Sequence, residues 1–584
     1  MKKLLSLLLA AMLLFSLAAC GSSAPATVET VEEVKEPEVQ ETAAVEETPE
    51  PVEEEPEVVL VDENGIKLTL SNPKWTLSKD GTYYSLEGVN FCTNVVDEKH
   101  QTMNIFVPAA YIDGGDCNGY TAETAPVIIQ NNCSGWRSGS AGKVSSEYIA
   151  EGFVFVNCGA RSRDAGEYGK SPCAVVDLKS AVRTLRLNTG VIPGDMDKII
   201  SVGTSGGGQM SSILGASGNM TEYYSYLYES GAPGIIYDEA NGEYISTIND
   251  DIYGCMCYCP IADIENADLA YAFLRFDAGE TEFDDSMGTH QVIEFTPFQL
   301  ALQDDLAVAF GSYINSIGIK DGEGNVLTFD LNEDGTANPR SGSYYEKTLA
   351  NISAALNAFI ADCTDERGTF SYTHTVGKGK NAEKTTYSSW KDYAATIDGA
   401  ENWMVENEDG TWSITDIAGF LNGTGLARNK DIPGFDTQTR NAENNAFGAS
   451  NEEAVHYSAS VAAVLKANYD RYSSMEGFDA SVVDAYIEEA NREDIINQTY
   501  LMNATAIMLN KAAGTQKVDP APYWRTRNGT ADEHTSFSVA YNICMAAEMA
   551  GCDADYSLVW AMTHGSNEGT STGTFVQWVH EICD

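Results

Sequence analysis

Three short runs of apolar residues punctuate the first half of the chain: APVIIQNN at 125–132, GFVFVNCGA at 152–160 and KIISVG at 198–203. Each is continuously hydrophobic and ends in small or turn-forming residues. That pattern predicts strands covered on both faces, as in a parallel sheet. Between the second and third runs, SPCAVVDLKSAVRTLRLNTG repeats its apolar residues at helical spacing, with Gly190 where a helix-ending glycine would stand. Strand, helix and strand with short connections make a βαβ crossover. Upstream, from about 58 to 120, KLTLSNPKWTL and QTMNIFVPAAYI alternate in the manner of strands. CMCYC at 255–259 is an apolar strand by the same reasoning. Its C-x-C-x-C spacing is not the C-x-x-C of a zinc knuckle, so no metal is expected there. Near the C-terminus, strand-like YWRTR, helical SFSVAYNICMAAEMAG and strand-like YSLVWAM form a second βαβ unit. No internal repeat is evident, and the fold class is α/β.

The third run leads into KIISVGTSGGGQM at 198–210. A phosphate-binding loop needs a lysine after its glycines, and a dinucleotide loop needs G-x-G-x-x-G. This segment has Gln209 and Met210 after the glycines and Thr204 and Ser205 among them. It does fit G-x-S-x-G, as Gly203, Thr204, Ser205, Gly206 and Gly207, between a strand and a helix. In such an elbow the serine occupies a strained turn, so the residues two positions either side must lack bulk. The hydroxyl stands out above the sheet. The Gly206 N–H lies at a helix N-terminus, where it can donate to a developing oxyanion.

A nucleophilic serine needs a base, and the base an orienting acid. Around this elbow the chain order is Ser, then Asp or Glu, then His. Of seven histidines, His100 precedes Ser205, and His290, His374 and His456 lie in a polar middle region. His580 falls inside a terminal helical pattern. His564, in YSLVWAMTHGSNEG, follows an apolar strand on a glycine-containing loop and is the preferred base. Asp532, in the NGTAD turn after YWRTR, is the preferred acid.

Composition sets the surroundings. MKKLLSLLLAAMLLFSLAAC is laid out as a secretory signal, and its apolar stretch is too short and wrongly flanked for a spanning helix. SLAAC followed by Gly21 resembles a bacterial lipobox, which implies lipidation of Cys20 and a bacterial cell-surface or extracellular location, anchored to the membrane by lipid. Residues 21–57 hold 13 Glu and one Lys and no aromatic residue, the composition of an extended, disordered tether. The formal charge of −51 argues against nucleic acid and against an anionic lipid surface as partners. Twelve cysteines besides Cys20 permit disulfides without fixing their pairing. DLNEDGTANPRS begins like a calcium loop at Asp330, Asn332, Asp334 and Gly335, but position twelve is Ser341 instead of a bidentate Glu, so a polar turn is expected. Arg161 and Arg163 in GARSRD suit either a substrate carboxylate or structural ion pairs.

VDLKSAVRTLRLNTGVIPGDMDKIISVGTSGGGQMSSILGASG, YCPIADIENADLAYAF, YWRTRNGTADEHTS and AMTHG together resemble the bacterial subtype B tannase-like and feruloyl-esterase-like branch of the α/β-hydrolases, from about residue 100 to the end. The resemblance implies an α/β-hydrolase fold, mostly parallel sheet with flanking helices, and a long, largely helical lid. It implies a catalytic triad of Ser205 as nucleophile, Asp532 as orienter and His564 as base, and no cofactor. The segment GFDTQTRNAENNAFGASNEEAVHYS resembles the family's approach to an aromatic–histidine pair, which brings in His456. The family reads R-H-G-T-A-D-R-D-T-S where this chain has Asn528 for the first histidine and His534 for the second aspartate, the one implicated in holding galloyl hydroxyls. Ester hydrolysis is thus better supported than gallate specificity. His534, His456 and Arg161 are candidate substrate ligands, and the second oxyanion donor is expected from Cys133, Ser134 or Gly135, with Ser134 preferred. The domains follow as signal 1–19, lipidated Cys20 and tether 20–57, first part of the core 58–264, lid 265–515 and second part of the core 516–584. Another hydrolase activity on the same fold, a peptidase or an acetyl esterase, stays open, as does a non-catalytic binding lipoprotein. Oligomeric state is not encoded in any pattern seen.

Overall fold

The computed structural model describes residues 67–279, 281–284, 291–376, 383–426, 442–569 and 572–583. Its centre is a nine-stranded sheet: β1 Thr76–Leu77, β2 Tyr83–Asn90, β3 Thr102–Pro108, β4 Val127–Asn131, β5 Val154–Cys158, β6 Ile199–Thr204, β7 Gly254–Tyr258, β8 Tyr523–Gly529 and β9 Asp553–Val559. The spatial order is β1-β2-β3-β5-β4-β6-β7-β8-β9. The β1-β2-β3-β5 pairings are antiparallel, and every pairing from β5 to β9 is parallel. The three apolar runs of the sequence are β4, β5 and β6. Helix α1, Cys173–Leu187, carries the chain from β5 past β4 to β6, because β4 lies between them. Strands β5 and β7 are buried along their whole length, which is why their sequences are apolar apart from Asn157, whose side-chain oxygen accepts from Asn132 Nδ2 and the Gly142 N–H. The unit runs from Leu60 to Asp584.

Three local expectations are corrected. KLTLSNPKWTL forms a strand only over Thr76–Leu77, because Asn72 takes φ +53 just before Pro73 and turns the chain. Helix α1 ends at Leu187 instead of reaching Gly190. The Asn188 side chain bonds the Thr184 carbonyl and the backbone of Leu68 and Leu70, so it caps the helix and anchors the N-terminal segment at once. His580, for which its place in a terminal helical pattern predicts a surface side chain, is instead held on the helix Phe575–Cys583. The ring bonds Tyr120 at 2.9 Å and Glu151 at 3.1 Å, and it stacks on Tyr120.

Within 265–515 the described residues are mainly helical, including Ala267–Arg275, Pro297–Ile317, Ser343–Asp362, Ala459–Ala467 and Ala504–Ala512, with small antiparallel strand pairs between them. His374 lies in one of those strands, Tyr372–Val376. The Asp330–Ser341 segment closes as a hairpin: Asn332 turns its amide toward Thr336, and Asp330 accepts from the Ser341 hydroxyl. No disulfide joins the twelve cysteines of the described residues. The signal, Cys20, the tether, His290 and 427–441 lie outside the described residues. No helix of the described residues is long and apolar enough to cross a membrane.

Candidate active site

Strand β6 delivers its chain into helix α2, Gly206–Ala216, through one residue, Ser205, at φ 61 and ψ −123. This lies outside the ordinary regions for an L residue and costs about 1–3 kcal/mol. The surroundings hold it. The Ser205 N–H donates to the Tyr258 carbonyl at 2.9 Å, and the Ser205 carbonyl accepts from Gln209 N–H at 2.9 Å. A Cβ on Gly203 would come within 2.2 Å of the Gly207 carbonyl oxygen, and one on Gly207 within 2.6 Å of Asn131 Oδ1. The glycines at two positions either side of the serine are therefore required by contact.

The loop after β4 presses on the start of α2. A Cβ on Gly206 would fall 2.7 Å from Trp136 N and 2.8 Å from the Cys133 carbonyl. Ser134 Oγ donates to the Thr204 carbonyl at 3.1 Å, Trp136 Nε1 to Gln209 Oε1 at 2.5 Å, and Arg163 Nε to the Gly135 carbonyl at 2.8 Å. Gln209 Nε2 continues to the Met502 carbonyl at 2.7 Å, joining elbow helix, loop and insertion. The Cys133 N–H is spent on Asn131 Oδ1 and the Trp136 N–H on the Cys133 carbonyl. Ser134 and Gly135 are left as the loop amides that can face an oxyanion beside Gly206.

Two strands away, β8 ends in the turn that carries Asp532. Its carboxylate is fully enclosed and accepts from the backbone N–H of His534 at 2.9 Å and of Thr535 at 3.0 Å, and from Asn528 Nδ2 at 3.2 Å. Asn528, a departure from the family pattern, thus holds the acid. His564, beyond β9, places Nδ1 at 2.9 and 3.0 Å from the two Asp532 oxygens. Burial alone would lower the pKa of this imidazole, but the facing Asp532 charge outweighs it and raises the value to about 10. Thr204 and Ser566 share a 2.6 Å hydroxyl contact that ties the elbow to the histidine loop.

The remaining candidates separate. The His534 ring lies edge-on to that of His564, with centroids 4.8 Å apart, so it stands at the site. Arg161 forms a bidentate pair with buried Asp177, its Nη2 at 2.7 Å, which is the structural alternative of the two considered. His456 is fully buried in the insertion, its Nδ1 2.8 Å from Glu489 and its ring stacked on Tyr486 at 4.3 Å. Cys259, which the sequence reading absorbed into a strand, is the residue it missed. It follows the end of β7 at φ +37, with Sγ 3.9 Å from His564 Nε2. Among the described residues no hydrogen bond joins Ser205 Oγ to His564. Nothing in the local sequence separates Cys259 from Cys255 and Cys257; only the register of β6, β7 and β8 does.

A family model described as BD-FAE matches residues 117–246. Among curated proteins, none matches the chain. Solved structures do. Tannin acyl hydrolase from Lactobacillus plantarum aligns at TM-score 0.65 and 24% identity over 88% of this chain and 99% of its own, and a tannin acyl hydrolase in complex with ethyl gallate aligns equally. Tannase from Fusobacterium nucleatum aligns at TM-score 0.66 and 24% identity over 89% of this chain and 100% of its own. The fold is that of the α/β-hydrolases, and the resemblance to the tannase-like and feruloyl-esterase-like members is matched by both comparisons.

Proposed function

We propose that this protein is a serine esterase that hydrolyses carboxylic esters of phenolic acids through an acyl-enzyme, held at a bacterial cell surface by a lipid on Cys20. The observation that carries the reading is the juxtaposition of a strained elbow serine with a buried Asp532–His564 pair at the same edge of the sheet. Ser205 Oγ attacks the ester carbonyl carbon, its proton passes to His564 Nε2, and the carbonyl π pair moves onto oxygen. The oxyanion is met by the Gly206 N–H and by the Ser134 or Gly135 amide, each donor worth about 3–4 kcal/mol. Collapse expels the alkoxide, which takes the proton from Nε2. Water then repeats the sequence to release the acid. Asp532 fixes the Nδ1–H tautomer and stabilises the imidazolium. The Ser205–His564 hydrogen bond is made in the Michaelis complex, as such contacts commonly tighten only there.

The phenolic acyl group is supported by the BD-FAE match and by the relatives, whose solved complexes hold ethyl gallate and 3,4-dihydroxybenzoate. His534 stands where the family carries an aspartate, so an acyl ring with fewer hydroxyls than galloyl is favoured. The test is hydrolysis of methyl gallate, methyl ferulate and p-nitrophenyl acetate by protein lacking residues 1–57 and by its Ser205→Ala variant. A fall of about 10⁶ in kcat is expected of the variant, with ferulate preferred over gallate. A wild type that cleaves none of the three, and whose Ser205 is left unmodified by a fluorophosphonate, overturns the reading.

A further inference from the structure

Strands β6 and β7 are neighbours in register, Thr204 opposite Tyr258. Ser205 and Cys259 therefore leave adjacent strand ends side by side, both with positive φ. The imidazole of His564 sits by the cysteine. Cys259 Sγ is 3.9 Å from Nε2 and 3.5 Å from the Gly565 carbonyl, while Asp532 occupies the Nδ1 side. Donor atoms of Cys259, Asp532 and His564 all lie within 4.8 Å of one another, the one such grouping of three among the described residues. Cys255 and Cys257, from the same run, are not part of it.

Thiolate and imidazole are the donors that zinc-like ions prefer. A tetrahedral zinc with its usual bond lengths to sulfur and nitrogen separates those two atoms by about 3.6 Å. The observed 3.9 Å needs a movement of only about 0.3 Å to match that span. A carboxylate on the far nitrogen is the usual partner of a metal-binding histidine, because it fixes the proton on Nδ1 and turns the Nε2 lone pair outward. Asp532 is already in that position. The His564 side chain is 16% exposed, which gives an ion and its remaining waters a way in.

We propose that Cys259 and His564, oriented by Asp532, form a site for a soft divalent cation of the Zn²⁺ or Cd²⁺ type, and that filling it switches hydrolysis off. On binding, the Cys259 S–H bond breaks heterolytically. Below the raised His564 pKa the Nε2–H bond of the imidazolium breaks as well; both protons go to solvent, the sulfur pair and the Nε2 pair go to the metal, and no electron is transferred. The lone pair so engaged is the one that would take the Ser205 proton. The inhibitory half of the proposal rests on the esterase reading; the binding half does not.

The experiment titrates Cd²⁺ into the mature protein and follows the ultraviolet thiolate-to-cadmium absorption, with Zn²⁺ binding measured by calorimetry. Wild type is compared with Cys259→Ser and Asp532→Asn. One tight equivalent is expected in the wild type, abolished in Cys259→Ser and weakened about 10- to 100-fold in Asp532→Asn. In the wild type, one equivalent of Zn²⁺ is expected to abolish ester hydrolysis, and a chelator to restore it. Should Cys259→Ser fail to fold, Cys259→Ala replaces it, and the thiolate-to-cadmium absorption is expected to be lost there too. No such absorption in the wild type, or an unchanged tight equivalent in the folded cysteine variant, overturns the site. A wild type without esterase activity removes the Proposed function and leaves the binding measurements fully readable.

Discussion

Gly529 carries no functional group, yet it sets the distance between the acid and the base. A Cβ there would fall 1.9 Å from the Met562 carbonyl oxygen and 2.9 Å from that of Thr563, two residues and one residue before His564. The histidine loop crosses the Asp532 turn at backbone contact, and Ala531 N–H donates to that same Met562 carbonyl at 3.0 Å. Gly529→Ala must push the loop away by more than a bond's tolerance. The expected result is a stability loss of about 1–3 kcal/mol and a loss of about a hundredfold in kcat/KM, read by thermal melts and ester hydrolysis. Gly565→Ala, whose methyl meets nothing within 4 Å, is expected to stay near wild type and serves as the control. Asp532 makes a second prediction at this scale. It raises the His564 pKa to about 10, against an ordinary value near 6.5. A raised histidine contributes stability in full below about 6.5 and loses it as pH climbs through about 10. The stability gap between wild type and Asp532→Asn should therefore be widest near pH 6 and shrink toward pH 10. In the wild type the acid limb of kcat/KM should lie on the alkaline side of an ordinary histidine's, and the variant's should fall lower. A pH-independent gap together with a coincident limb would show that Asp532 does not govern His564.

At the scale of elements, α1 is held by charge as much as by its apolar face. Lys179 and Arg183, one turn apart and both fully buried, converge on Asp250 at 2.8 and 2.7 Å. Lys179 also reaches the Ser217 carbonyl at the end of α2, and Arg183 reaches the Pro233 carbonyl. Burial alone would raise the Asp250 pKa, but the two cations outweigh it and hold the carboxyl below its ordinary 3.8. Asp250→Asn leaves two buried cations without their anion, and a loss of about 3–5 kcal/mol is expected in urea unfolding at pH 7. A depressed carboxyl stabilises above its unfolded pKa and ceases to as pH falls through the folded one. The difference should therefore begin to narrow below about pH 4 and close only as pH falls through the lowered folded value, and a gap that does not narrow at all on acidification would assign the loss to packing. The same elements mark how far the sequence could be read. Strands β4, β5 and β6 and the Ser205 elbow were legible because continuous apolar runs and a G-x-S-x-G turn are local signals. Asp532 and His564 were legible because each follows a strand in the order that the elbow demands. The end of α1 was not, since Asn188 is recruited by Leu68 and Leu70, more than a hundred residues upstream. Cys259 was not, since its meeting with His564 spans 305 residues and depends on lateral strand order, which no periodicity records.

For the whole molecule, the question is where the fold begins. The composition of 21–57, thirteen Glu and no aromatic residue, predicts repulsion and no core of its own, and the compact unit starts at Leu60. Among the described residues Leu68 is the first side chain enclosed completely, and its carbonyl accepts from Asn188 Nδ2 at 2.9 Å. Leu70 N–H donates to Asn188 Oδ1 at 2.7 Å, so the N-terminal segment satisfies the residue that ends α1. Truncations at residues 60 and 73 should then behave oppositely. A chain starting at residue 60 is expected to keep the melting temperature and ester hydrolysis of the mature protein, losing only the membrane partitioning that Cys20→Ala in the full chain also removes. A chain starting at residue 73 forfeits a fully buried leucine, about 2–3 kcal/mol, and leaves the Asn188 amide without two of its partners, about 1–3 kcal/mol more. Because α1 packs on α2, the helix that Ser205 leads into, that loss should lower activity together with the melting temperature. Equal melting temperatures for the two truncations would mean that the fold begins after Pro73. A lowered one for the chain starting at residue 60 would give the acidic segment a structural part that its composition denies.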